Sequence, residues 1–230
     1  MTLIEFLKNW HFLIIMLTLA SIAVFIWLYL NRKRLNAKWW EILIVTILHV
    51  IFGVFMVKLF AIVEVGFDTS KAGNMSLYGG VFFMPIFYLV YKLIKRLPFK
   101  VIFDIFTVSL IVTLFFARFN CLHEGCCLGK VINGTYRYPT REIELIFYVI
   151  LLMFITPWIY KGKSNGLAYP VYMIAYGIFR FVEEFFRESP ITNETFHISH
   201  YWSILSFVIG TSLLIYLILK ARRAKTNGNE

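Results

Sequence analysis

The chain has 230 residues, of which 60% are apolar and only 16% charged, and 24 are Phe. With a mean hydropathy of +0.73, it lacks the charged surface that a soluble domain of this length carries. The net charge of +10 falls in short clusters between apolar runs rather than on one basic face, which excludes a nucleic-acid binder, and three cysteines, all within Cys121–Cys127, exclude a secreted disulfide scaffold.

About 20 apolar residues cross a bilayer as a helix. Taken in chain order, the segments expected to do so are 11–30, 41–64, 75–91, 100–119, 143–160, 166–186 and 201–219. The first is long enough to span and carries no small-residue cleavage site before its basic flank, so it reads as a helix and not a signal peptide. The third is short, contains Pro85 and is expected to begin in irregular backbone at Gly79-Gly80. The fold class is therefore all-α, a polytopic membrane protein of about seven transmembrane helices in one domain, 1–230, with a polar tail over 225–230 expected to be disordered. Two Asn-X-Thr sequences, at Asn133 and Asn193, fit a glycosylation pattern that matters only in a eukaryotic secretory pathway.

Orientation follows from the short loops. Arg32, Lys33, Arg34 and Lys38 follow the first helix; Lys92, Lys95, Arg96 and Lys100 follow the third; Lys161 and Lys163 the fifth; Lys220, Arg222, Arg223 and Lys225 the seventh. All four clusters share one side when the N-terminus is outside and the C-terminus cytoplasmic, as the positive-inside rule requires. The expected location is a bacterial inner membrane.

Ionisable residues at membrane depth are expensive and are functional candidates by default. Here they are Lys58, Arg118, Glu144, Arg180, Glu183, Glu184 and Arg187. Arg118 lies 14 residues beyond Asp104, and Arg180 lies 14 beyond Gly166; both helices run outward, so each arginine is carried about 21 Å from its helix start. Lys58, on the second helix, and Glu144, near the start of the fifth, are expected at that same level in the outer half of the bilayer. On the sixth helix Tyr176, Arg180, Glu183, Glu184 and Arg187 fall within about 100° of arc. Arginine is suited to a bidentate grip on phosphate oxygens, and a glycerophospholipid headgroup lies at this depth. The simpler reading is that Arg180 and Glu184 pair at i, i+4; Lys58 and Arg118 at the same depth weigh against it, because cations then outnumber the obvious partners. Gly79 and Gly80 fit either close backbone approach to a ligand or plain helix packing. Cys121, Cys126 and Cys127 are open to three readings: small packing residues, a disulfide outside the membrane, or, with His123, a metal site. Metal is the least favoured, because the vicinal pair Cys126-Cys127 cannot easily chelate one ion in regular backbone, and no metal or cofactor is expected.

The order of motifs resembles the prolipoprotein diacylglyceryl transferase family. Val57-Lys58-Leu59-Phe60 is similar to that family's Ala-Arg-Leu-aromatic stretch, and Met75-Ser76-Leu77-Tyr78-Gly79-Gly80 to its Met-Ser-Phe-His-Gly-Gly. Leu97-Pro98-Phe99 with Asp104 resembles the following cytoplasmic turn, and Ala117–Lys130 the signature Gly-Arg-x-Gly-Asn-Phe-x-Asn-Gly-Glu-x-x-Gly-Arg. Tyr138–Glu144 resembles His-Pro-Ser/Thr-Gln-Leu-Tyr-Glu, and Tyr176–Arg187 resembles Tyr-Gly-x-x-Arg-Phe-x-x-Glu-Phe-Phe-Arg.

The resemblance implies transfer of a diacylglyceryl group from phosphatidylglycerol to a lipoprotein cysteine thiol at the outer leaflet, releasing glycerol phosphate, with phosphatidylglycerol and a prolipoprotein signal peptide as partners and no nucleic acid. It assigns catalytic roles to Tyr78, Arg118, Tyr176 and Arg180, the arginines holding the phosphate. It assigns substrate binding to Lys58, Gly79, Gly80, Cys121, Glu144, Glu184 and Arg187, with Glu144 and Glu184 orienting the arginines or moving a proton. The chain departs from the pattern at five positions, one of them Arg141, which stands for the Gln after Ser/Thr. Tyr78 stands for the His before Gly-Gly, Cys121 for the signature Asn, Cys126 for the signature Glu, and Lys58 for an Arg. The loop after the fourth helix is also short where the family builds an outer head. Three further readings therefore stay open: a divergent relative using another acceptor, a non-catalytic phospholipid-binding protein, and a thiol-redox protein using Cys121, Cys126 and Cys127.

Overall fold

A computed structural model of the protein describes residues 3–67, 75–132, 134–188 and 196–227. Asn133, Asn193 and positions 228–230 of the expected tail lie outside them. The described residues form seven helices: α1 (Leu3–Leu30), α2 (Trp39–Glu64), α3 (Tyr78–Lys95), α4 (Phe99–Glu124), α5 (Thr140–Tyr160), α6 (Ala168–Glu184) and α7 (Ile198–Asn227). The expected all-α polytopic membrane fold is thus the one observed. Five of them, α1, α2, α4, α5 and α7, are long and apolar enough to cross a membrane. The remaining two, α3 and α6, are 18 and 17 residues long; they are the helices that turn glycine, tyrosine and charge inward. One feature departs from the all-α expectation: Val131–Ile132 and Tyr136–Arg137 pair as an antiparallel two-stranded hairpin between α4 and α5.

Most of α4 is enclosed by its neighbours, whereas α1 and α7 leave broad apolar faces, such as Ile15, Ile22, Ile26, Val208 and Ile215, exposed on the outside of the bundle. Such faces suit lipid as solvent. A core of aromatic and branched side chains, including Tyr88, Phe103, Phe106, Ile111, Tyr148 and Tyr172, fills the middle.

Irregular backbone is not where the sequence places it. Tyr78, Gly79 and Gly80 form the first regular turn of α3. A Cβ on Gly79 would strike the Met56 carbonyl and the Phe60 side chain, so this glycine serves close packing of α3 on α2. Pro85 lies inside α3 and removes the N–H that would bond the Val81 carbonyl; that carbonyl instead accepts a hydrogen bond from the Tyr169 hydroxyl of α6 at 2.6 Å.

The basic clusters gather at one end of the bundle. Arg34 donates to the Ile159 carbonyl near the end of α5 at 3.4 Å. Lys95 pairs with Glu41 at the start of α2 at 2.8 Å, and Gly166 sits against Lys100. The last two helices, α6 and α7, pack antiparallel, with Gly177 against Ser203 and Gly210 against Met173, so the basic C-terminal turns of α7 return to this end.

Asp104 is the clamp there. It accepts hydrogen bonds from Ser164 Oγ at 2.6 Å, Gly166 N at 2.8 Å and Ala168 N at 3.2 Å. A carboxylate on α4 thus caps the N-terminus of α6, where backbone donors are unsatisfied and negative charge is favoured. The clamp gives α4 and α6 a common origin from which both run toward the opposite end.

Candidate functional site

A common origin and an equal span, 14 residues in each helix, bring Arg118 and Arg180 to one level, and the structure joins them there. Arg118 Nη2 pairs with Glu144 Oε2 and lies 3.5 Å from Glu183 Oε1. Arg180 Nη1 pairs with Glu183 Oε2 and lies 3.5 Å from Glu144 Oε2, while its Nη2 donates to Glu184 Oε2 at 3.1 Å. Each arginine therefore shares both Glu144 and Glu183, and α4, α5 and α6 are tied at one point. Glu144 Oε1 accepts a further hydrogen bond from the Tyr148 hydroxyl at 2.8 Å. Arg187 extends the network outward, 3.7 Å from Glu184. All but Arg187 are buried.

Three arginines thus meet three glutamates. The count corrects the expectation that cations outnumber their partners: Glu183, counted among the intramembrane charges but given no role, supplies the missing carboxylate. The i, i+4 pair of Arg180 and Glu184 is present, yet it is one edge of a larger network. Buried opposite charges stabilise one another only when geometry and hydrogen bonding are good, and here every carboxylate is shared. The Nε–H of Arg118 and of Arg180 each remains without a hydrogen-bond acceptor among the described residues. Both guanidinium groups thus keep a spare donor, and an orphaned buried donor calls for an explanation.

Tyr78 sits under this network. Its ring faces the Arg180 guanidinium at 5.6 Å and meets the Tyr176 ring edge-to-face at 5.7 Å. Its hydroxyl is hydrogen-bonded to Ser203 Oγ at 2.6 Å and lies 3.0 Å from the Ser199 carbonyl, both on α7. Tyr176 is fully buried, and its hydroxyl has no hydrogen-bond partner among the described residues.

Lys58, Gly80 and Cys121 are elsewhere. They line a cavity of about 490 Å³ bounded by α1 to α4. One part of its lining is mainly apolar, with Leu17, Val54, Met84 and Leu110 and the hydrogen-bonded pair His49–Thr113 among them; Lys58, Asn120, Glu124 and the three cysteines make another part polar. On α4, Thr113, Leu114, Ala117, Asn120, Cys121 and Glu124 face the cavity, and Arg118 stands just beyond the edge of that face, turned toward α5 and α6. The expected single cluster is therefore two neighbouring compartments that share α4 as their wall.

The hairpin closes this end. Lys130 N donates to the Phe186 carbonyl at 2.8 Å and Glu188 N to the Leu128 carbonyl at 2.9 Å. Arg137 pairs with Glu188, and Tyr138 stacks on Phe186 at 4.5 Å. A Cβ on Gly129 would strike the Tyr138 carbonyl, so only glycine allows this crossing. The loop is thus pinned across the end of α6, which sets the cysteines beside Arg118 and Arg187. The three thiols share one set of hydrogen bonds, which pushes the Cys127 thiol down and the Cys126 thiol up, Arg187 and Arg118 drawing Cys127 in the same downward direction.

Sequence reading passed over Glu64, at the end of α2, whose carboxylate is bonded by Ser76 and lies within electrostatic reach of Arg180 and Arg187. It stands at the end of an apolar run, where a charge reads as ordinary helix flank.

Comparison with known proteins adds the following. The family model of prolipoprotein diacylglyceryl transferase matches residues 3–216. The chain is similar to a phosphatidylglycerol–prolipoprotein diacylglyceryl transferase of Helicobacter pylori (strain Shi470), 26% identical over 110 residues, covering 46% of this chain and 39% of that protein. It is similar to a second such transferase of Clostridium perfringens (strain 13 / Type A), 30% identical over 130 residues and half of each chain. It also resembles the transferase of Clostridium tetani (strain Massachusetts / E88), 26% identical over 123 residues, covering 46% of this chain and 49% of that protein. The matched part of the chain spans about 40 to 50% of the length of these relatives.

Proposed function

The chain belongs to the prolipoprotein diacylglyceryl transferase family, and from that premise we propose that it transfers a diacylglyceryl group from phosphatidylglycerol to a cysteine thiol at the outer leaflet of a bacterial inner membrane. The observation that carries this reading is the meeting of Arg118 and Arg180 on Glu144 and Glu183, beside a cavity lined partly by apolar and partly by polar residues. The apolar part suits acyl chains and the polar part a headgroup; the arginines suit the phosphate.

In this proposal the balance of three arginines against three glutamates governs the chemistry. A phosphodiester brings one more negative charge to a set whose buried members are two arginines and three glutamates, with the half-buried Arg187 at its edge, and charge there is costly unless compensated. The phosphate takes a guanidinium edge from a carboxylate, and the displaced carboxylate, having lost its ion pair, accepts the acceptor thiol's proton, so that the charge passes to the thiolate. We assign that role to Glu184, the outermost of the three. The thiolate sulfur then attacks the terminal glyceryl methylene of the diacylglyceryl group and forms the C–S bond. The C–O bond to phosphate breaks with its electron pair on oxygen, and glycerol phosphate departs, its charge stabilised by Arg118 and Arg180. Tyr78, whose hydroxyl is committed to α7, positions Arg180 through its ring and is not the base. Tyr176 backs Tyr78, and Lys58 with Gly80 and Cys121 forms the headgroup side of the cavity.

Expression in a strain depleted of its own lipoprotein transferase tests the acceptor. Rescue, abolished by Arg180→Ala in protein that still inserts, is the expected result. No rescue by inserted wild-type protein would overturn the lipoprotein acceptor. The short hairpin over the site is the observation that favours a different thiol in that event.

A further inference from the structure

We propose that Cys121, Cys126 and Cys127 form a trithiolate binding site for a soft, thiophilic metal ion such as Zn(II) or Cu(I). The sulfur atoms of the three free cysteines all lie within 4.8 Å of one another. A metal with M–S bonds of about 2.3 Å, the value for zinc, needs its sulfurs roughly 3.8–4.0 Å apart in tetrahedral or trigonal geometry. The observed sulfurs already lie close to that spacing.

Regular backbone would forbid this arrangement, because neighbouring side chains diverge. The backbone here is not regular: α4 ends at Glu124, Gly125 turns left-handed at φ 68, and Cys127 is itself left-handed at φ 59. A left-handed conformation is costly for a non-glycine residue. At Cys127 it turns the second thiol of the vicinal pair back toward Cys121. The carbonyl of Cys127 accepts a hydrogen bond from Thr140 Oγ1 at 3.0 Å, and the Gly129–Arg187 bridge holds the next residues. Both ends of the strained segment are thus fixed, so the three thiols are preorganised.

Surroundings and access agree. Arg118 is one helical turn before Cys121, and Arg187 is bridged to the chain two residues after Cys127, so cations of the ion-paired network flank the thiols, and Lys58 lines the same cavity. Thiolate ligands select soft ions over magnesium or calcium. All three cysteines line the cavity, with Asn120 and Glu124 beside them, so an ion there keeps a fourth position open to the cavity. On binding, each thiol yields its proton to solvent. This site does not depend on the transfer reaction.

The test is metal titration of the reduced, full-length protein in detergent. Co(II) should give a sulfur-to-cobalt charge-transfer band that saturates at about one ion per chain and is displaced by Zn(II). Cys121→Ser and Cys127→Ser should each weaken binding by more than about a hundredfold, beyond the loss from an outer partner. Thiol alkylation followed by mass measurement needs no variant: Zn(II) should protect all three cysteines of the wild-type protein. Absence of the band, equal alkylation with and without Zn(II), or binding unchanged in both variants overturns the proposal. So does a protein that stays two hydrogens light after reduction.

Discussion

Glu144 carries more of the site than either other carboxylate, because it serves two arginines and a tyrosine. Glu144→Gln leaves Arg118 and Arg180 with an uncompensated buried charge, and removing one partner of such a pair costs about 3–5 kcal/mol. Thermal unfolding in detergent should therefore fall sharply. Glu188→Gln, which loses an exposed ion pair with Arg137, should cost at most about 1 kcal/mol. Equal shifts in the two variants would contradict the shared network. Tyr78 makes a second contrast. Tyr78→Phe keeps the ring under Arg180 and should retain turnover within about tenfold, the worth of one neutral hydrogen bond. Tyr78→Leu removes the ring as well and should lose about 2 kcal/mol more, roughly another thirtyfold in kcat. If Phe and Leu are equally inactive, the hydroxyl is the working group and the positioning role is wrong. At this scale the sequence was generous. The arc of α6 already showed Arg180, Glu183 and Glu184 on one face; it could not show that Glu183 reaches across to Arg118, because that depends on how α4 is rotated.

At the level of helices, the site exists because α4 and α6 start from one clamp. Asp104→Ala leaves Ser164 Oγ, Gly166 N and Ala168 N without their acceptor, and each buried unsatisfied donor costs about 1–3 kcal/mol. The variant should unfold several degrees lower and lose activity although Asp104 sits at the far end of the bundle from Arg180. Asp104→Asn, which keeps an acceptor oxygen, should recover part of both. Activity untouched in Asp104→Ala would show that the two helices find their register without the clamp. Helix number and order were legible from apolar runs, and so was the equal reach of the two arginines, since helical rise is fixed. Two features were not. The regular start of α3 was hidden because paired glycines read equally as a break or as a close contact, and only the approach of Met56 decides between them. The hairpin over 131–137 is too short to show a strand period.

For the molecule as a whole, the division between two compartments is the main result. The charged network faces α5 and α6, and the apolar cavity faces α1 to α3, with α4 between them. Hydropathy placed both at one depth and could not separate them, because depth is one coordinate and rotation about each helix is another. The gathering of all basic clusters at one end predicts a cytoplasmic C-terminus. A fluorescent protein fused after Glu230 should fold and fluoresce, whereas a periplasmic phosphatase fused there should stay inactive; the reverse pattern would invert the bundle and put the site on the inner leaflet.

The central claim is that Arg118 and Arg180 grip a lipid phosphate during transfer. Purified protein in vesicles containing phosphatidylglycerol labelled in its headgroup glycerol, with a cysteine-bearing signal peptide, should release labelled glycerol phosphate and form a diacylglyceryl thioether, both read by mass spectrometry. Arg180→Ala, shown to remain inserted and monodisperse, should release none. Undiminished release from Arg180→Ala would contradict the account.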